Sequence, residues 1–236
     1  MYETHPRKAI DRAFVAYHLV SILSENHIGR KCSILSMPSY SWGNEIALHR
    51  VLLDCEINTI CFGVERDPDL FERMKRNSSR FPFARTATES PSGIREHLEK
   101  TENRYTAVLY DYTGPWTKDH VLDIESLFVS CSRNTIEVLC ITVSLARGNS
   151  FTLQKASMIE SASLPPSFQE IKPQYLHKIQ GLSFCVLRAA MESRVACKID
   201  SAHVYKGKNG VPFATIMFRC NRSAKRKGYD VGRIYE

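Results

Sequence analysis

Tyr105-Thr106-Ala107-Val108-Leu109-Tyr110-Asp111-Tyr112-Thr113-Gly114-Pro115-Trp116 is the stretch that decides the fold. Its first half is an apolar run of strand length. Its second half brings an acidic residue, an aromatic, a Gly-Pro break and a second aromatic. Short apolar runs closed by turn residues read as strands buried on both faces, as in parallel sheets. In open α/β sheets ligands bind beyond the carboxyl ends of the strands. Asp111, Tyr112 and Trp116 are therefore predicted to face such a crevice.

The pattern on either side supports a sheet of this kind. Upstream, a helix is predicted over 9–25, with Ile10, Phe14, Tyr17 and Ser21 on one face and Ala13, Val20 and Leu23 beside them. A strand over 32–37 is broken by Pro38-Ser39. The loop Tyr40-Ser41-Trp42-Gly43 then leads into a helix carrying Glu45, Ile46, Leu48, Val51 and Leu52. A second strand, 57–65, runs into Asp67-Pro68, an N-cap followed by a proline at a helix start. A short strand over 84–88 precedes a helix over 94–100, for which Ser90-Pro91-Ser92 is the expected cap. Downstream come a helix over 117–131, a strand over 137–145, and helical patterns over 151–161 and 182–193. Two β-rich runs, 198–205 and 213–218, flank Lys206-Gly207-Lys208-Asn209-Gly210, where Asn-Gly is a strong hairpin signal. Strands alternating with helices predict an α/β, doubly wound, mostly parallel sheet of seven strands ending in an antiparallel hairpin. The expected organisation is an N-terminal helix over 1–30, the α/β domain over 31–220 and a basic tail over 221–236.

Composition narrows the function classes. The 236 residues are 43% hydrophobic and 24% charged, as in ordinary globular proteins. No apolar run reaches the ~18 residues of a membrane span, and the first residues lack the apolar core of a secretory signal. The eight cysteines contain no Cys-x-x-Cys pair and read as reduced thiols of an intracellular, cytoplasmic protein. No His pair has metal-ligand spacing, so no metal site is expected. Gly-x-Ser-x-Gly, Walker-type and Gly-x-Gly-x-x-Gly patterns are absent, against hydrolase, P-loop and standard dinucleotide readings. The net charge is +7 and the pI near 9.0, which suits an anionic partner such as nucleic acid. Lys206 and Lys208 at the hairpin, Arg222, Lys225, Arg226, Lys227 and Arg233 in the tail, and Arg7, Lys8 and Arg12 at the start would form a basic margin if they share one edge. A solvated tail over 222–236 is the alternative.

Five strand–helix units and a terminal antiparallel hairpin resemble a class I S-adenosylmethionine-dependent methyltransferase over roughly residues 32–220. Three places carry the likeness. Gly63-Val64-Glu65-Arg66-Asp67 is similar to the acidic end of that family's second strand, which implies ribose binding by Glu65 with Arg66 beside it. Independently of the family, a carboxylate at the end of a buried strand can accept two hydroxyl hydrogen bonds from a ribose, in nicotinamide and methyl-donor cofactors alike. Thr88-Glu89 falls where the third strand's end lines the adenine pocket. The Asp111–Trp116 turn stands at the family's catalytic position after the fourth strand. There the resemblance implies Asp111 as acceptor for a target amine and as a cofactor neighbour, with Tyr112 or Trp116 stacking on an extruded base. The first loop departs from the family's Gly-x-Gly. Pro38, Ser39 and Gly43 are expected to shape a different loop that admits the methionine portion, with Trp42 as its wall.

The leading reading is a methyltransferase using S-adenosylmethionine on an exocyclic amine of a nucleic-acid base. The alternatives are a methyltransferase for a small molecule or protein, and a non-catalytic subunit of the same fold that binds nucleic acid or protein.

Overall fold

The computed structural model describes residues 6–39, 41–130, 136–146, 165–207 and 210–222. In chain order the elements are α1 (Pro6–His27), β1 (Lys31–Ser36), α2 (Gly43–Asp54), β2 (Asn58–Gly63), α3 (Pro68–Ser78), β3 (Ala84–Thr86) and α4 (Ile94–Lys100). They continue with β4 (Ala107–Pro115), α5 (Lys118–Ser130), β5 (Val138–Ser144), α6 (Pro173–Glu192), β6 (Val195–Lys206) and β7 (Pro212–Arg222). The helix expected over 151–161, and Arg147, Lys208 and residues 223–236, lie outside the described residues.

One seven-stranded sheet has the order β3-β2-β1-β4-β5-β7-β6. β1 to β5 run parallel, and β7 lies antiparallel between β5 and β6. The order reverses between β1 and β4, so the connections beyond their carboxyl ends lead to helices on opposite faces and leave the crevice that doubly wound sheets use for ligands. β6 is antiparallel to β7, which is antiparallel to β5. The carboxyl end of β6, with Lys206, therefore reaches that same edge.

Helices cover both faces. α1, α2 and α3 pack on one side through Leu19, Leu23, Leu48, Leu52, Phe71 and Met74. α4, α5 and α6 pack on the other through Leu98, Ile124, Phe128, Ile179 and Val186. β5 is buried along its whole length, as a central strand between two helical layers must be. Among the described residues, no helix is long and apolar enough to cross a membrane.

Three local expectations are corrected. α1 buries Val15, Ala16, Leu19, Ile22 and Leu23, while Ile10 and Tyr17 stand 58% and 71% exposed. The inward stripe is thus rotated from the expected face, because α1 rests on the sheet and on α2 together. The N-cap of α4 is Gly93 and makes no side-chain cap, so Ser90-Pro91-Ser92 is not the cap. Gly114-Pro115 does not break β4 off early: the strand runs through both residues to end at Pro115, with a register shift between Asp111 and Pro115 against β5. Asp67 caps α3 as expected, accepting from the Leu70 N–H at 2.9 Å.

Candidate active site

The continuation of β4 decides where its side chains go. Successive strand residues point to opposite faces. Val108, Tyr110 and Tyr112 belong to the core on the α4–α5 side, whereas Ala107 and Leu109 belong to the core on the α1–α2 side. Asp111 follows the second set. It lines a cleft with Ser36 and Met37 from the end of β1, Asn44, Glu45 and Leu48 from α2, Asp11, Arg12 and Val15 from α1, and Thr142 from β5. The cleft is small, with a cavity volume of about 50 Å³, and it opens to solvent.

The cleft sets polar and charged side chains beside apolar ones. Arg12 Nε donates to Asn44 Oδ1, which ties α1 to the first turn of α2. Thr215 Oγ1 donates to Asp11 Oδ1 at 2.7 Å, and the Thr142 and Thr215 hydroxyls are 2.9 Å apart. Tyr205 on the hairpin also bonds to Asp11; burial first, and then the charges of Asp11 and Asp111, push its phenol up. Burial, opposed in part by its own backbone N–H and the nearby Ser36 hydroxyl, raises the Glu45 carboxyl to about 7. The charge of Asp111 adds to the rise and that of Arg12 reduces it. Burial first, and then the charges of Asp11 and Asp111, raise the Cys140 thiol, so both carboxylates act on the interior of the cleft.

The residues expected at the site separate into two groups. Asp111 lines the cleft. Glu65 is half-buried just beyond β2, with Oε1 accepting from the Asp67 N–H at 2.9 Å. The loop after β3 is stitched to that strand end by Ala87 N–H to Gly63 O at 2.8 Å and Ser92 N–H to Glu65 O at 2.9 Å. Within it Thr88 Oγ1 donates to Ser90 O, and Glu89 is exposed, as is Arg66.

Tyr112 and Trp116 are corrections. At 5% and 3% exposed, they are core residues with no face open to a base. Tyr112 stacks on His120 with ring centroids 3.8 Å apart and donates to Asp123 Oδ2 at 3.0 Å. Arg95 holds the other Asp123 oxygen. Alternation along an unbroken strand sends Tyr112 away from Asp111, and Trp116 packs with Tyr112 and His120.

The first loop is a second correction. Trp42 is fully buried in the α1–α3 layer, with Nε1 donating to Met74 O at 3.0 Å, so it is not a cofactor wall. It takes the loop's left-handed conformation (φ 57°) itself, which a bulky residue adopts only when its surroundings compel it. Gly43 is the first residue of α2. Pro38 is buried against Gly63, and Ser39 is exposed, its hydroxyl 2.8 Å from that of Ser41.

The sequence reading missed Asp11, Arg12, Ser36, Asn44 and Glu45 as site residues. Asp11-Arg12 and Asn44-Glu45 are polar pairs on otherwise apolar-patterned helices, which is the available signal. Only the packing of α1 against α2 joins them. Among the described residues, no group of three or more His, Cys, Asp or Glu side chains could hold a metal ion.

Neither protein-family models nor curated proteins gave a match to the chain. Solved structures did. Trm5b from Pyrococcus abyssi aligns with 92% of this chain and 50% of its own length, at 12% identity and TM-score 0.54. A Listeria monocytogenes protein, provisionally described as a class I S-adenosylmethionine-dependent methyltransferase, aligns with 93% of this chain and 62% of its own, at 11% identity and TM-score 0.52. A provisionally described transferase from Pyrococcus horikoshii aligns with 94% and 66%, at 11% identity and TM-score 0.50. The chain thus spans between half and two thirds of the length of these neighbours. With the strand order and the antiparallel β7, these likenesses establish that the chain has the fold of class I S-adenosylmethionine-dependent methyltransferases.

Proposed function

We propose that the chain binds S-adenosylmethionine along the carboxyl edge of β1, β2 and β4 and directs its methyl group to an exocyclic amine of a nucleic-acid base. The observation that carries the reading is Asp111, which lines the cleft at the carboxyl ends of β1 and β4, in a fold shared with class I methyltransferases.

The residues present fit the cofactor by their chemistry. Glu65 uses one carboxylate oxygen on the Asp67 N–H and retains acceptor capacity for a ribose diol. Arg12 offers a guanidinium for a carboxylate. Ser36 Oγ and Glu45 Oε2 are buried without a well-formed hydrogen bond among the described residues, so a ligand donor would satisfy them. S-adenosylmethionine supplies a methyl group made electrophilic by its sulfonium. Asp111 accepts a hydrogen bond from the target amine and holds its lone pair in line. Val15, Leu48 and Leu109 form the apolar wall that limits water around it.

Nucleic acid as substrate is supported by the +7 net charge and by where basic groups stand. Lys206 at the hairpin tip and Arg66 after β2 are exposed on the edge that carries the cleft. Phosphate contacts of that kind position a strand without reading its sequence. One observation favours a non-catalytic, nucleic-acid-binding subunit instead: Pro38 and Trp42 pack onto Gly63, where the family's loop has glycines.

Calorimetric titration with S-adenosylmethionine and its demethylated product separates the two readings. Micromolar binding that Glu65→Ala weakens at least tenfold supports the enzyme, and no heat at millimolar cofactor refutes it. Radiolabelled methyl transfer to DNA and RNA, lost in Asp111→Ala at unchanged fold, identifies the substrate. A flat dependence of nucleic-acid affinity on salt would refute the phosphate contacts.

A further inference from the structure

Among the described residues Glu45 is the one carboxylate that is fully buried, at 3% exposure. The other partly buried acids each have partners. Asp123 holds Arg95 and Tyr112, Asp200 holds His18 and Arg219, and Glu137 holds His27. Glu45 differs: it lines the cleft, and its Oε2 is buried with no hydrogen-bond partner among the described residues. The groups facing it come from four elements. α1 presents Arg12, with Asp11 in the same cleft, and β4 presents Asp111. β1 presents the Ser36 hydroxyl, also buried without a well-formed bond, and β2 presents the Cys61 thiol, which burial first and then the charge of Glu45 push up. Behind Asp111, β5 presents Cys140. Three carboxyl groups, those of Asp11, Glu45 and Asp111, thus line this space with one guanidinium, and that guanidinium is bonded to Asn44.

We propose that Glu45 is a charge-responsive receptor: protonated in the ligand-free protein at mildly acidic pH, it yields its proton when a ligand brings a compact cation, an ammonium or sulfonium, into the cleft. The carboxyl O–H bond breaks, the proton passes to buffer, and the carboxylate Oε2 gains the partner it lacks. Burial is what keeps the proton on Glu45, and a cation at Oε2 reverses the balance. In a cleft that already contains Asp11 and Asp111, this device admits a cation without burying a third charged carboxylate beforehand. The proposal rests on the cofactor reading of the same cleft. It adds an unforeseen binding residue, from the helix after the first loop, and a proton coupling.

The test is calorimetry of the full chain with S-adenosylmethionine in phosphate and in imidazole at pH 6, where the ligand's own amine stays charged. Heats that differ between the buffers, reporting release of about one proton, are expected, with affinity rising on the order of tenfold from pH 5.5 to 7. Glu45→Gln should bind with buffer-independent heat and a flat pH profile. Cofactor binding without proton release in the wild-type chain overturns the role of Glu45, and this arm does not depend on the variant folding. S-methylmethionine, which carries ammonium and sulfonium without the nucleoside, is the second probe. If it alone binds and releases the proton, Glu45 stands and the cofactor reading falls. If neither compound binds, both fall.

Discussion

Gly63→Ala adds one methyl group at the end of β2 and tests the packing that replaces a glycine-rich first loop. A Cβ at Gly63 would lie 2.6 Å from Pro38 Cγ, 2.7 Å from Trp42 Cη2 and 3.1 Å from Met74 Sδ. Carbon atoms at rest sit about 3.5–4.0 Å apart, so two contacts overlap by roughly 1 Å. Neither neighbour yields easily. Pro38 is a buried ring, and the Trp42 indole is fully buried and bonded to Met74 O. Overpacking of this kind costs about 1–3 kcal/mol, and the two rigid contacts argue for the upper end. The gain from replacing a strand glycine, about 0.5–1 kcal/mol, offsets part of it. A net loss of about 2 kcal/mol corresponds to a fall in Tm of roughly 4–8 °C for a chain of this size. Gly114→Ala is the control, since a Cβ there meets nothing within 4 Å and should stay within about 0.5 kcal/mol. Urea unfolding followed by circular dichroism measures both. The strained variant should also bind S-adenosylmethionine more weakly, because the loop that must shift joins Ser36–Met37 to Asn44–Glu45. If Gly63→Ala matches the control, Pro38 and Trp42 do not pack on Gly63 in solution and the account of the first loop is refuted.

Trp42→Phe removes the hydrogen bond to Met74 O and part of a buried ring, at a cost of about 1–3 kcal/mol by chemical denaturation. Tyr112→Phe should lower stability by about 1–2 kcal/mol through loss of the bond to Asp123 and leave cofactor and nucleic-acid affinities unchanged; a substrate defect would return Tyr112 to the site. The Glu45 carboxyl, raised in the folded state, makes ligand-free stability depend on pH. Below pH ~4.5 both states hold the proton. As pH rises to about 7 the unfolded chain loses it first, so stability falls by ~3 kcal/mol, and Glu45→Gln should flatten that part of the profile. Asp200 works in the opposite sense. Its hydrogen bond to His18 holds its carboxyl below the usual range, so the stability it lends is present above pH ~4 and is lost on further acidification. Asp200→Asn should remove that acid-side loss in a thermal-melt series.

The apolar run through Tyr110 and the Asn-Gly hairpin signal were sufficient for the sheet class, because buried parallel strands and tight hairpins leave local patterns in composition. Asp67 as a cap and Glu65 at a strand end were legible for the same reason: each depends on residues within three positions of it. Tyr112 and Trp116 were misread because one extra stretch of strand, which depends on pairing with β5, inverted which face they occupy. Trp42 was misread because its buried partners, Gly63 and Met74, are supplied by other elements. Of the cleft, only Asp111 was legible. Asp11, Glu45 and Asp111 are separated by tens of residues, and only the docking of α1 over the carboxyl ends of β1 and β4 brings them to one space. Periodicity and turn chemistry are local and survive in a bare sequence. The partners of a buried charge are set by long-range packing, and the tertiary structure alone decides them.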